Sequence, residues 1–203
     1  MAKKLHYFNL NGLAEPIRYI LHYTKQEFED VRHGFDMKKE VKDKLPYGQL
    51  PIYEEGERIL TQSLAIAKYV ARNSDLIPVD PWVVAVVEGA AYTIYDFWLK
   101  IVPYIKEQDP EKKKELKKHL LEETIDFFFT RFEKHLQENG GYFGGKLTWV
   151  EFILCGIVEA SNLFLDTELE KKYPAVKAVV EKIRNLPGVK EYIEKRGPYV
   201  IDQ

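Results

Sequence analysis

Residues 45–70, LPYGQLPIYEEGERILTQSLAIAKYV, combine a proline-bounded turn, two short apolar segments and the start of a helix. The apolar segments Pro51–Tyr53 and Arg58–Leu60 flank the glycine-containing run Glu54–Glu57, which predicts a β-hairpin. From Ser63 onward, apolar residues at helical spacing predict a helix. A hairpin followed directly by a helix indicates a mixed α/β unit.

The residues on the N-terminal side of this stretch complete that unit. The pattern predicts two more strands and two helices: strand Lys4–Phe8, helix Glu15–Tyr23, strand Phe28–Val31 and a charged helix Met37–Lys44. The order strand, helix, strand, helix, strand, strand, helix predicts a small α/β domain over residues 1–75.

The residues on the C-terminal side contain almost no strand pattern. After a proline-containing linker at 76–82, residues 83–203 are predicted to form an all-helical domain. Its predicted helices are Trp82–Tyr104, Glu111–Asn139, Val150–Leu165, Ala175–Leu186 and Val189–Lys195. The helix Val150–Leu165 is apolar on nearly all sides, which predicts that it is buried. The capping-box pattern Thr148–Glu151 marks its start.

Composition excludes several classes of protein. The chain has 203 residues, 45% hydrophobic and 31% charged, which is typical of globular proteins and not of disordered ones. Its net charge of −2 provides no general field for nucleic acid or for an anionic membrane, so we expect neither partner. No apolar run approaches the roughly 20 residues that cross a bilayer. We therefore expect a cytoplasmic protein.

Cysteine and histidine usage predicts no metal site. Cys155 is the only cysteine, which excludes an internal disulfide and a four-cysteine zinc site. It lies in the most apolar helix and is expected to be an inert packed thiol. The five histidines show no metal-ligand spacing.

Three predicted turns carry residues that could bind a ligand or take part in a reaction. Tyr7 ends a predicted strand, where ligands usually sit in α/β sheets, and its phenol can donate to a developing anion; alternatively, it is an aromatic that covers the core. If Pro51 is cis, the backbone of Leu50 faces outward and can pair with an extended peptide; the alternative is an ordinary turn. Ser63 is expected to be an N-cap, at a helix end that also favours carboxylates.

These features occur in the order found in a known family. The chain resembles the cytosolic glutathione transferases, sigma class, along essentially its whole length. The segments that carry this resemblance are Tyr7–Asn9 with Gly12, Ala14–Arg18, Leu45–Pro51, Gln62–Tyr69 and Gly145–Trp149. It implies a thioredoxin-like N-terminal domain, an all-helical C-terminal domain, a homodimer, and glutathione as co-substrate.

The resemblance also implies residue roles. Tyr7 is the catalytic residue, Pro51 is the cis-proline, and Leu50 pairs through its backbone with the cysteinyl part of glutathione. The other expected glutathione contacts are Phe8, Leu13, Lys42, Gly48, Gln49, Gln62, Ser63 and, from the other subunit, Asp96. The expected walls of the electrophile pocket are Phe8, Leu13, Trp98 and Tyr104.

The implied activity is conjugation of the glutathione thiolate to small hydrophobic electrophiles, such as xenobiotics and lipid-peroxidation products, in detoxification. One alternative is a glutathione-dependent isomerase of the prostaglandin D synthase type. Leu13, in place of that enzyme's arginine, and a single carboxylate, Asp96, at its metal cluster count against this alternative. The other alternative is a non-catalytic protein, either crystallin-like or a glutathione-binding module.

Overall fold

The computed structural model describes residues 2–35, 42–43 and 45–199. The four strands are β1 (Lys3–Phe8), β2 (Glu29–His33), β3 (Ile52–Glu55) and β4 (Arg58–Thr61). Two helices pack with them, α1 (Glu15–Tyr23) and α2 (Ser63–Ala71). The predicted helix Met37–Lys44 falls mostly on residues outside this description.

The strands form one mixed sheet in the order β2-β1-β3-β4. β1 and β2 are parallel, whereas the β1–β3 and β3–β4 pairs are antiparallel. His6 pairs with Ile52, and Ile52 pairs with Thr61. The end of β1, the beginning of β3 and the end of β4 therefore meet at one end of the sheet. This confirms the thioredoxin-like fold expected for the N-terminal half.

Several strand boundaries differ from the prediction, most clearly in β2 and at the hairpin turn. β2 begins one residue later than predicted and continues to His33, because its pairing with β1 runs as far as Phe8. The hairpin turn is shorter than predicted: Glu54 and Glu55 belong to β3, and Glu55 pairs with Arg58. Only Gly56, with φ of 65°, and Glu57 form the turn. Glycine provides the positive φ that a two-residue hairpin turn requires.

The second half is helical, with a deeply buried central helix. The helices are α3 (Pro81–Lys106), α4 (Pro110–His119), α5 (Ile125–Glu138), α6 (Trp149–Leu165), α7 (Pro174–Arg184) and α8 (Val189–Arg196). Thirteen of the 17 residues of α6 are buried, as predicted from its apolar character. Its capping box is also confirmed, since Glu151 accepts from Thr148 N–H at 2.7 Å and Thr148 Oγ1 accepts from Val150 N–H at 3.3 Å.

The predicted single helix Glu111–Asn139 is divided in the structure. α4 and α5 are joined by a wider π-helical turn, Leu120–Thr124. α4 has no buried residue, whereas α5 buries Phe128, Phe129, Phe132 and Leu136. The extra residue in the turn changes which face of the helix meets the core, an effect that periodicity alone does not predict.

The two halves share one hydrophobic core. Leu76, in the predicted linker, is buried, and its carbonyl accepts from Trp149 N–H at 3.2 Å. α1 packs directly on α6, where a Cβ on Gly156 would stand 2.6 Å from Pro16 Cδ. Glycine at this position therefore permits the close approach. Among the described helices, none has both the length and the apolar character needed to cross a membrane.

Candidate active site

Tyr7 lies near the end of β1 with its hydroxyl held by the loop that follows. The side chain is 6% exposed, and its Oη accepts from the backbone N–H of Leu13 at 3.2 Å. Gly12 approaches from the same loop with φ of +46°, and a Cβ there would stand 2.7 Å from the Tyr7 Oη. The loop thus encloses the hydroxyl on one side, and only glycine fits at that contact.

Burial raises the pKa of Tyr7 above its ordinary value. The Leu13 N–H and the positive charge of Arg18 act in the opposite direction but are weaker. The phenol is therefore protonated at neutral pH and available as a hydrogen-bond donor. Tyr7 does cover the core, as the alternative interpretation required. Its hydroxyl is also held in place by the Leu13 N–H and can donate a hydrogen bond.

The Leu50–Pro51 turn meets Tyr7 at the same end of the sheet. The Leu50–Pro51 peptide bond is cis, as expected. Leu50 precedes β3 by two residues, so continuing the register His6–Ile52 brings it opposite Phe8. Within the described part of the chain, no hydrogen bond is recorded to the Leu50 backbone. Among the described residues its N–H and C=O therefore have no backbone partner, which is the geometry that pairing with an extended ligand requires.

The rest of the turn is exposed. Gly48, with φ of +63°, and Gln49 are both open to solvent. Lys42 is exposed as well, and its carbonyl accepts from Leu45 N–H at 3.0 Å, which fixes Lys42 beside the turn. These residues therefore form an exposed surface beside the Leu50–Pro51 turn.

The prediction that Ser63 is an N-cap is wrong. Ser63 is the first residue of α2, and the cap position is Gln62, which makes no side-chain capping hydrogen bond. Gln62 has φ of 71°, a conformation that costs a non-glycine residue free energy and is found mainly at functional sites. The buried Ser63 hydroxyl is therefore not used to cap the helix, and it stands beside the free N–H groups of the α2 N-terminus.

α3 carries the other predicted residues. Asp96 is exposed, whereas Trp98 is 6% exposed, with its ring 6.1 Å from that of Phe164. The ring of Tyr104 is half-buried beneath Lys113, whose Nζ lies 5.3 Å from the ring centroid. Phe8 and Leu13, the other two predicted pocket walls, are partly buried next to Tyr7.

Sequence reasoning missed two aromatic residues near Tyr7. The phenol of Tyr95 on α3 is close enough to raise the pKa of Tyr7 further. Phe35, in the loop after β2, stacks on Phe8 with ring centroids 5.3 Å apart. Helical periodicity gives no signal for Tyr95, because an aromatic on a long apolar helix is indistinguishable from the core. A single loop phenylalanine gives none either.

No metal centre is visible in the part of the chain that the structure describes: no group of three or more histidine, cysteine, aspartate or glutamate side chains is arranged to hold an ion there. The features that the structure does bring together are a phenol, backbone amides, a helix N-terminus and apolar side chains. Hydrogen-bond donors of these kinds are suited to an extended, anionic peptide and to a negative charge beside Tyr7.

Comparison with known proteins agrees with this geometry. Residues 3–72 match the glutathione S-transferase N-terminal domain, and residues 95–196 match its C-terminal domain. The chain is 35% identical over 193 residues to glutathione S-transferase S1 of Drosophila melanogaster, covering 95% of this chain and 78% of that protein. It is 32% identical over 194 residues to hematopoietic prostaglandin D synthase of Gallus gallus, covering 95% of this chain and 96% of that protein.

A solved structure is similar throughout. The prostaglandin synthase D of Nilaparvata lugens superimposes with a TM-score of 0.93 and 36% identity, over 98% of this chain and 100% of that one. The match extends across both halves of the chain. On these grounds the chain belongs to the glutathione S-transferase family, whose co-substrate is glutathione.

Proposed function

We propose that this glutathione transferase joins glutathione to small hydrophobic electrophiles and that Tyr7 is its catalytic residue. The observation that carries the proposal is the buried Tyr7 hydroxyl, which is protonated at neutral pH and anchored by the Leu13 N–H. A phenol in this state donates a hydrogen bond to a thiolate and does not remove the thiol proton itself.

The hydrogen bond from Tyr7 has to lower the pKa of the glutathione thiol. A free thiol has a pKa of about 8.5, so only a few per cent is thiolate at neutral pH. Lowering that pKa by about two units requires about 2.7 kcal/mol of preference for the thiolate. A charge-assisted hydrogen bond in a water-poor site, aided by nearby dipoles, supplies energy of that order. The thiolate then attacks the electrophile. In a substitution the leaving group departs with its bonding electrons, and in an addition to an unsaturated carbonyl compound a proton from water completes the product.

The remaining predicted residues would hold the tripeptide. Leu50 would pair through its backbone with the cysteinyl part, next to cis Pro51 and Gly48. Gln62 and Ser63 would bind the γ-glutamyl carboxylate. Two observations support this assignment. Among the described residues, the Ser63 hydroxyl makes no capping hydrogen bond, and no side chain caps the N–H groups at the α2 N-terminus. Lys42 and Gln49 would bind the glycyl carboxylate at the exposed surface beside the turn.

The electrophile would occupy an apolar pocket beside Tyr7. Phe8 and Leu13, both partly buried next to it, support this assignment. Trp98 and Tyr104 remain predicted walls on α3.

We also propose a homodimer of the sigma class in which Asp96 reaches the glutathione of the partner subunit. The exposure of Asp96, together with Tyr92, which lies one turn earlier on α3 and is 61% exposed, supports such a contact. Sedimentation measures the subunit number. If Asp96 contributes, Asp96→Asn weakens glutathione binding without changing that number.

Prostaglandin isomerisation is the second candidate activity, because two relatives carry a prostaglandin synthase name. A steady-state screen of glutathione with aryl halides, unsaturated aldehydes, peroxides and the prostaglandin endoperoxide separates conjugation from isomerisation. A protein that binds immobilised glutathione but turns over none of these would be the non-catalytic alternative. A detoxifying role in the cytoplasm is the setting we propose for conjugation.

The decisive variant is Tyr7→Phe. It removes one oxygen atom while retaining the ring that fills the core. We expect glutathione affinity within about threefold of wild type and turnover lower by about a hundredfold, as for loss of one donor to a developing anion. Unchanged turnover would reject Tyr7 as the catalytic residue.

A further inference from the structure

Phe35 presents a large apolar ring to solvent close to the candidate active site. Its side chain is 69% exposed, although aromatic rings of this size are usually buried. The preceding strand is fixed against β1, since Phe8 pairs with His33 and the Asn9 N–H donates to the His33 carbonyl at 3.0 Å. The loop that bears Phe35 therefore begins directly beside the end of β1.

Three aromatic rings form a continuous wall that starts at Tyr7. Tyr7 and Phe8 meet edge to face, with centroids 5.5 Å apart and an interplanar angle of 62°. Phe8 and Phe35 are stacked, with centroids 5.3 Å apart and an angle of 15°. Such offset stacking fixes the plane of Phe8 and leaves the exposed ring of Phe35 at the outer end of the wall.

We propose that Phe35 is a specificity-determining residue for the electrophile. It extends the apolar wall beyond Phe8, so electrophiles with a flat aromatic or conjugated body gain a stacking contact that small saturated ones cannot make. This inference rests on the proposed transferase function. One stacked aromatic contact corresponds to roughly a threefold to tenfold preference.

Two enones with the same reacting group provide the test. One carries a phenyl ring on the β-carbon and the other a methyl group. In both, the glutathione sulfur forms a bond to the β-carbon, the C=C electrons move to the carbonyl oxygen, and a proton from water completes the addition. The products differ only in the group available for stacking.

The variants are Phe35→Ala, Phe35→Leu and the control Phe127→Ala. Phe127 is 53% exposed on α5 and lies outside the site, so it matches Phe35 in ring and exposure. We expect Phe35→Ala to lower kcat/KM for the phenyl enone threefold to tenfold. The methyl enone and the KM for glutathione should stay within twofold. Phe35→Leu should lose part of the preference for the phenyl enone over the methyl enone. Phe127→Ala should keep all of that preference.

Several results would overturn the inference. An equal loss with both enones would indicate a general disturbance of the site, and a rise confined to the KM for glutathione would place Phe35 at the tripeptide. No change in either enone would also reject it. If the wild-type enzyme shows no glutathione-dependent rate with either enone, the proposed function fails and this inference fails with it. Wild-type turnover with an unaffected Phe35→Ala rejects the inference alone.

Discussion

Tyr7 depends on two backbone features of the loop that follows β1. The Leu13 N–H donates to its Oη at 3.2 Å, and Gly12 leaves the space in which that hydroxyl stands. The donated hydrogen bond occupies one acceptor position of the phenol and leaves its own proton to point elsewhere. A fixed hydroxyl of this kind loses little orientational freedom when a thiolate arrives, which is the advantage of preorganisation.

Gly12→Ala should damage this arrangement. The added Cβ would stand 2.7 Å from Tyr7 Oη and 2.9 Å from Leu10 Cδ1, at a φ of +46° that alanine rarely adopts. We expect a loss of about 1–3 kcal/mol in the free energy of unfolding and a clear fall in turnover. Urea unfolding measures the free energy of unfolding, and steady-state kinetics measure turnover. Gly140→Ala is the control, since Gly140 has a comparable φ of +67° and its added Cβ would contact nothing within 4 Å. If both variants behave alike, the close approach of Gly12 has no special role.

Two helix N-termini in this chain differ in how their backbone N–H groups are satisfied. At α6, Thr148 and Glu151 satisfy the free backbone N–H groups, and the helix enters the core. At α2, no side chain among the described residues performs that task, and Gln62 occupies an unfavourable backbone conformation. The α6 end is thus closed by its own side chains, whereas the α2 end is the one that we propose binds glutathione.

Paired alanine substitutions separate these purposes. Thr148→Ala should cost about 1 kcal/mol of stability and leave glutathione affinity unchanged. Ser63→Ala should leave stability within about 0.5 kcal/mol, since it removes no capping bond, and weaken glutathione binding about tenfold. Thermal unfolding measures the stability of each variant, and calorimetric titration with glutathione measures its affinity. A stability loss in Ser63→Ala with unchanged affinity would restore the capping interpretation.

The β1–β2 pair carries a pH-sensitive contact. His6 Nδ1 and His33 Nε2 lie 3.2 Å apart, and their ring centroids are 5.5 Å apart with an interplanar angle of 19°. In such a pair one nitrogen donates and the other accepts, so protonation of both rings removes the acceptor. Burial, followed by the influence of His6, lowers the pKa of His33 below its ordinary value.

This shift predicts lower stability in mild acid. The unfolded chain, with a histidine pKa of about 6.5, binds its proton before the folded chain does. The free energy of unfolding should therefore fall as the pH drops through about 6.5 and level off below the folded pKa. Urea unfolding at several pH values should show a smaller fall in His33→Gln than in wild type. The exposed His119→Gln serves as the control, and equal slopes in all three proteins would contradict the assignment.

The sequence predicted elements better than their junctions. α1 was predicted with its observed bounds because apolar spacing and Pro16 mark it locally. The cis Leu50–Pro51 bond was expected only through the family resemblance, since the local residues also fit an ordinary turn. The cap position at Gln62 was missed, because a helix end with a side-chain cap and one without share the same residue types. Phe35 was missed because stacking on Phe8 depends on strand pairing across the chain.

At the scale of the whole molecule, a buried ionic network joins the first helix to the C-terminal segment. Arg18, fully buried, donates to Glu15 Oε2 at 3.0 Å and to the Leu10 carbonyl at 2.8 Å. Arg196 Nε lies 2.8 Å from Glu15 Oε1, and the Tyr199 hydroxyl donates to Glu15 Oε2 at 2.9 Å. The loop after β1, which holds the Tyr7 hydroxyl, and the C-terminal segment are thereby both fixed to the Arg18–Glu15 ion pair.

Arg18→Met should test the energetic role of this network. Loss of the guanidinium leaves Glu15 short of a partner and the Leu10 carbonyl without its donor, which should cost about 3–5 kcal/mol. All three tryptophans, Trp82, Trp98 and Trp149, lie in the helical half. Their fluorescence should nevertheless report the loss, because the halves share a core. The exposed Arg131→Met is the control and should stay within about 0.5 kcal/mol. An unshifted tryptophan transition would show that the halves unfold independently.

Titration of the bound glutathione sulfur is the most direct measurement of the catalytic assignment. Ultraviolet absorption of the thiolate, followed against pH in wild type and in Tyr7→Phe at saturating glutathione, gives the thiol pKa in each complex. We predict a wild-type value about two units below the free thiol's 8.5, and a Tyr7→Phe value close to that of the free thiol. The same depressed pKa in both proteins would mean that another group holds the thiolate, and the role assigned to Tyr7 would be wrong.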